Sequence, residues 1–218
     1  MQKVLRRSLN DIFSPMVLGF VLKVGLGSIL LWIVLLTFFW DTYTNIVESI
    51  IAKIPFIGSW EWIQSGGSAI FALLFGYILI IITISLLTSL YSEPILIQLA
   101  KKHYPNVQTV GSPNIFTSLL FTLKASGLFL VLFLFSIPLL FVPILGQIWM
   151  LWLWSLLIKE PTAYDVGSLF IRERLQNKQK KSNIIAIIAS LFNYIPFLNI
   201  FAPLFGQILF LHHILRER

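Results

Sequence analysis

The 218-residue sequence contains no cysteine, which excludes a disulfide framework, thiolate chemistry and any cysteine-ligated metal centre. Charge is scarce as well. Only 11% of residues are charged against 57% hydrophobic, and the mean hydropathy is +0.87, so there is too little polar surface to solvate a globule of this length. There is no Gly-Lys-Ser/Thr phosphate loop, no Gly-x-Ser-x-Gly elbow, no His-Glu-x-x-His pair and no nucleophile with a base beside it. The chain is therefore not read as an enzyme, no cofactor is expected, and ATP-driven pumping by this chain alone is excluded. Asp11, Asp41, Glu48, Glu61, Glu93, Glu160, Asp165, Glu173 and Glu217 all fall outside the longest apolar runs, so no acidic proton relay within a membrane is expected. Adjacent His212 and His213 point to different helix faces and have only His103 as a possible third partner, so no metal site is expected.

What is present is apolar sequence distributed along the whole chain, which reads as a single all-α, polytopic helical membrane domain over 1–218. About 20 residues cross a hydrocarbon core of roughly 30 Å. Two segments meet that length as transmembrane helices, 17–40 and 68–91. The first follows Lys3, Arg6 and Arg7 but is too long for a signal peptide and lacks a small-residue cleavage site, so it is read as an anchor that stays. Between the two, Ile46, Val47, Ile50, Ile51 and Ile54 form an apolar stripe, read as an interfacial helix that stops at Ile54-Pro55, with Trp60 and Trp62 as belt residues. Glu93-Pro94 opens a second surface helix, with Ile95, Leu96 and Leu99 toward lipid and Lys101 and Lys102 toward water. The segment 159–182 has the capping-box spacing of Thr162 and Asp165 and a basic run, and is read as a solvated cytoplasmic connector.

An internal repeat organises the C-terminal half. Ile137-Pro138 and Pro143-Ile144-Leu145-Gly146-Gln147-Ile148 recur as Ile195-Pro196 and Pro203-Leu204-Phe205-Gly206-Gln207-Ile208. Paired prolines that close cannot share one continuous helix, because each removes a donor and clashes with the preceding turn. Pro138 and Pro143, and then Pro196 and Pro203, are thus read as turns of two helical hairpins, 114–158 and 183–215. Arms of Asn183 to Ile195 and Leu204 to Leu215 are only about 20 Å long, too short to cross, so the hairpins are read as re-entrant. The first would have arms Ala125 to Ile137 and Ile144 to Ile158, with Lys124 near the membrane surface; six transmembrane segments is the alternative.

The net charge of +7 comes from basic residues that flank apolar segments, which points to topology and not to nucleic acid. Most Lys and Arg residues lie in the N-terminal segment, the two connectors and the C-terminus, so both termini are expected in the cytoplasm.

The motif Ser190-Leu191-Phe192, Ile195-Pro196, Leu198-Asn199, Phe201 and Pro203 resembles the last hairpin of the CysZ-type sulfate permeases within the etoposide-induced-protein membrane family. Ser14-Pro15, Glu93-Pro94-Ile95-Leu96, Ile137-Pro138 with Gly146-Gln147, and Glu160-Pro161 occur where that family has counterparts. The resemblance implies two long spans, two half-penetrating hairpins, homo-oligomers in the cell inner membrane and passage of an inorganic anion such as sulfate toward sulfur assimilation. Where the permease branch carries glycine and then arginines after the first proline, this chain reads Pro15-Met16-Val17-Leu18-Gly19, and the nearest cation is Lys23.

The candidate anion-binding residues are Lys23, Gly146, Gln147, Gly206 and Gln207. Helix N-termini after Pro143 and Pro203 carry free N–H groups and partial positive charge, the glycines permit close approach, and the glutamines donate without the cost of burying a charge. Each has a plainer use: Lys23 snorkelling to headgroups, the glycines packing helices, the glutamines bridging them. The rival to a permease is a non-transporting membrane scaffold or lipid-organising protein. Membrane lipid and further copies of the chain are the other expected partners.

Overall fold

The computed structural model describes residues 2–53, 67–171, 179–195 and 198–216. Its helices are α1 (Gln2–Ile12), α2 (Pro15–Ala52), α3 (Ser68–Tyr91), α4 (Glu93–His103), α5 (Ile115–Leu140), α6 (Leu145–Phe170), α7 (Gln179–Ser190) and α8 (Ala202–Arg216). Short 3-10 turns, Leu191–Tyr194 and Leu198–Phe201, join α7 to α8, and no strand occurs among the described residues. Helices α2, α3 and α5, together with the run Leu198–Arg216, are long and apolar enough to cross a membrane. The protein is an all-α, multi-pass membrane protein.

Helix α1 buries Val4, Ser8, Asp11 and Ile12, a helical stripe, and packs on α8. It ends where Ser14 Oγ donates to the Asp11 carbonyl at 2.7 Å, and Pro15, which has no N–H to lose, starts α2. The expected separation of span and interfacial helix is corrected here. Helix α2 runs 38 residues through the junction, with only Phe39 departing from helical dihedrals (φ −121°, ψ 23°). No proline or glycine lies between Trp40 and Asn45 to break it. Val47 and Ile51 are buried against Phe71 and Ala72 of α3, and Tyr43 Oη donates to the Ala72 carbonyl at 2.5 Å, so this part of the stripe faces protein while Ile46 and Ile50 stay exposed. The proline stop at Ile54-Pro55 and the belt residues Trp60 and Trp62 lie outside the described residues.

Helix α4 is also corrected. Ile95, Leu96, Leu99 and Ala100 are buried in a core shared with α1, α6 and α8, not turned to lipid. Proline in its first turn, Glu93 at its start and Lys101, Lys102 and His103 at its end match the helix dipole.

The first hairpin is longer than its proline spacing suggested. Asn114 caps α5, its side chain accepting from Thr117 N at 3.1 Å, eleven residues before Ala125 in the chain; Lys124 therefore sits exposed within a continuous helix. Helix α6 continues through Pro161 to Phe170 and buries Pro161, Thr162, Asp165, Val166, Gly167, Leu169 and Phe170. The first half of 159–182 is thus core helix, not a solvated connector. Val166, Leu169 and Phe170 supply an apolar face whose burial outweighs the one donor lost at Pro161.

Side-chain pairs set the relative depths. Antiparallel α2 and α3 meet at Trp32 with Thr83 (2.9 Å) and Tyr43 with Ala72, a register that brings Lys23 level with Ser92. Antiparallel α3 and α5 meet at Ser89 with Ser118 and at the Phe75–Phe133 edge contact, which carries Leu140 to the level of Gly67 and Ser68. In the second hairpin, Asn199 bonds Tyr77 Oη, nine residues or about 14 Å short of the start of α3. Asn199 thus meets α3 below the level of Leu140.

Candidate functional site

The sequence-derived residues do not converge on one place. Lys23 is on the exposed face of α2, opposite Val21 and Gly25, and at the basic end of the bundle. Pro138 and Pro143 are exposed at the tip of the first hairpin, Pro203 is buried in the first turn of α8, and Pro196 lies outside the described residues. Gly146 closes the first turn: a Cβ there would lie 2.7 Å from the Leu139 carbonyl oxygen and 2.9 Å from Leu140 Cα. Just before it, Ile144 holds φ 67°, ψ −55°, and Leu145 N donates to the Pro143 carbonyl at 2.7 Å, a positive-φ γ-turn. Gly206 serves packing between helices, since a Cβ there would meet Ile158 Cγ2 at 2.4 Å.

The two glutamines have opposite environments despite matching positions in the repeat. Gln147 is exposed, and its backbone carbonyl accepts from Tyr194 Oη, which joins the two hairpin tips. Gln207 is 3% exposed, and its Nε2 donates to Asp165 Oδ2 at 3.1 Å. Asp165 also accepts from Ser118 Oγ at 2.6 Å and Ser89 Oγ at 2.5 Å, and the two serines are 2.7 Å apart. Four helices, α3, α5, α6 and α8, thus meet on one buried carboxylate. No Lys or Arg pairs with it among the described residues. Burial disfavours its charge, and the three hydrogen bonds, each to a carboxylate oxygen, offset only part of that cost.

Asp165 and Asp11 lie outside the longest apolar runs of the sequence, yet the fold buries both, each 1% exposed. In the sequence Asp165 resembles a cap after Thr162. Its register with Val166, Leu169 and Phe170 is the one signal that could have placed it on a buried face. Asp11 is surrounded by His212, His103 and Lys102. Burial opposes its charge, but the hydrogen bonds from these three outweigh that and hold its carboxyl well below the usual range. His212 and His103, 109 positions apart in the chain, are thus neighbours, contrary to the isolation expected from their spacing.

A family model described as sulfate transporter CysZ/etoposide-induced protein 2.4 matches residues 4–203. The chain belongs to this family. Its membership, with the long apolar helices, makes it a sulfate-transporter-related membrane protein. Comparison with curated proteins and with solved structures gave no match. The match to the CysZ/etoposide-induced protein 2.4 family covers Lys23, the first hairpin turn, Gly146, Gln147 and Asp165, and it ends at Pro203. Gly206, Gln207 and His212 follow that end on α8, the most deeply buried helix of the fold.

Proposed function

We propose that this chain is an inner-membrane permease or channel for an inorganic oxyanion, sulfate first among them, that supplies sulfur assimilation. The observation that carries this reading is the family match over residues 4–203. In this reading both termini face the cytoplasm, 183–215 is a re-entrant hairpin, and copies of the chain assemble around the path. A doubly charged oxyanion is costly to dehydrate, so several donors must replace its water together. Lys23 at the basic end of the bundle would gather anions. The exposed tip, where Gly146 shapes the turn at the start of α6, would offer the Gln147 amide as donor at the other end. Because Lys23 and Gln147 both face outward, such a path runs between copies and not through one chain. Gln207, turned toward a carboxylate, would position α8 for that path.

The inward turn of Gln207 also favours a second reading, a non-transporting scaffold or lipid-organising protein in which the polar groups only bridge helices. Uptake of labelled sulfate into liposomes containing the purified protein, with other oxyanions as competitors, separates the two. A permease gives saturable, competed uptake above protein-free liposomes. Uptake equal to that of protein-free liposomes leaves the scaffold.

A further inference from the structure

Asp11, His103 and His212 come from three different helices and meet where the N-terminal and C-terminal parts of the chain pack together. His212 Nε2 lies 2.8 Å from Asp11 Oδ2, and His103 Nε2 lies 2.9 Å from Asp11 Oδ1 and 2.8 Å from Oδ2. All three donor atoms fall within 4.8 Å of one another. Asp11 and His212 are fully enclosed, whereas the His103 side chain is 21% exposed. Its open side borders a cavity of about 650 Å³ lined also by Tyr104, Pro105, Val107 and Leu215.

Two imidazoles and one carboxylate are a donor set that binds first-row divalent metals, with a further position left to water. The second ring nitrogen of His212, Nδ1, lies 3.1 Å from Tyr104 Oη, which fixes the ring and leaves Nε2 directed at Asp11. A partner of this kind on the far nitrogen is the usual support for a metal-binding histidine. Bonds of about 2.0–2.2 Å put tetrahedral donor atoms roughly 3.3–3.5 Å apart. The carboxylate and imidazoles need only part by about half an ångström, and the two rings close by up to about 1.4 Å, for an ion to sit among them. Lys102 Nζ, 3.1 Å from Asp11 Oδ1 on a side chain 57% exposed, now supplies the positive charge that an ion would bring, and its flexible stem can carry it into water.

We propose that Asp11, His103 and His212 form a binding site for a divalent transition-metal ion of the zinc class, which clamps α1 to α4 and α8 at the basic end of the bundle. The competing account is a hydrogen-bonded clamp that never takes a metal, and Lys102 distinguishes them. Removing its ammonium weakens a hydrogen-bonded clamp but strengthens a metal site, because the ion no longer competes with a neighbouring positive charge.

The test uses the full-length protein in detergent, stripped with chelator and titrated with zinc chloride alone, with bound zinc measured by elemental analysis after gel filtration and affinity by calorimetry. The expected result is one saturable zinc ion per chain and a rise in Tm on binding. His103→Ala, a change at the least buried ligand, should lower affinity by more than about tenfold, the scale on which support and ligand groups act. Lys102→Gln should raise affinity several-fold, while His213→Ala leaves it unchanged. If the unsubstituted protein binds no saturable zinc, if His103→Ala binds as tightly as the parent, or if Lys102→Gln lowers Tm without tightening zinc, the metal site is overturned and the cluster is a hydrogen-bonded clamp. Asp11→Asn supplies a second ligand variant should His103→Ala fail to fold. Sulfate uptake enters none of these readouts, so their failure leaves the permease reading standing.

Discussion

The Gln207 amide nitrogen donates to the Asp165 carboxylate at 3.1 Å, and the amide oxygen beside it, equally buried, has no partner. Half of this side chain satisfies a buried charge, and half is a cost. Its sequence counterpart Gln147, one hairpin earlier, stands exposed.

Replacing each glutamine by leucine should therefore have unequal effects. Gln207→Leu leaves the Asp165 carboxylate with one donor fewer and should cost about 1–3 kcal/mol. Gln147→Leu, on the surface, should stay within about 0.5 kcal/mol. Thermal unfolding of both variants in one detergent checks this, and equal losses would mean that the Asp165 contact is not the main role of Gln207.

The turn of the first hairpin contains two conformational demands, one met by its residue and one not. Gly146→Ala should destabilise by about 1–3 kcal/mol, because its Cβ would press on the backbone of Leu139 and Leu140. Ile144→Gly should stabilise by about 1 kcal/mol, because a branched side chain at φ 67° is strained and Ile144 is 75% exposed, so little burial is lost. Melting temperatures moving in opposite directions for these nearby changes is the expected outcome.

The depth difference between Leu140 and the residues beside Asn199 can be read with single cysteines, which have no native background in this chain. A membrane-impermeant thiol reagent added outside should label Leu140→Cys, level with the N-terminal end of α3, far faster than Leu198→Cys, beside the residue that bonds Tyr77. Equal and rapid labelling of both would show that the second hairpin also reaches the far surface.

Lys23→Gln should reduce oxyanion uptake, and the reduction should shrink as salt rises. Lys23 is level with Ser92 and exposed, so its field acts through water and is screened over about 10 Å at 0.1 M. Initial rates at two ionic strengths provide the check. A loss independent of salt would instead indicate direct contact or misfolding.

Much of the architecture was legible in the sequence because it follows from local rules. The expected helix 68–91 coincides with α3, whereas the turn expected at Pro138 comes later, since α5 runs through it to Leu140. The errors share one physical origin, that local stop signals yield to burial. Helix α6 continues through Pro161 because Val166, Leu169 and Phe170 find a core, and α2 continues past Trp40 because Val47 and Ile51 find α3. The buried polar groups were harder to foresee. Asp165 gathers donors from positions 76, 47 and 42 residues away, and Asp11 meets histidines 92 and 201 residues away, separations at which no periodic pattern links one side chain to another.

The bond from Tyr194 Oη to the Gln147 carbonyl has a mechanical consequence. The second hairpin is tied there to the start of α6 and again, through Asn199, to Tyr77 of α3. Sliding of α7 and α8 along their neighbours would have to break both ties at once. The described parts of the two hairpins are therefore coupled, and a displacement of one is passed to the other.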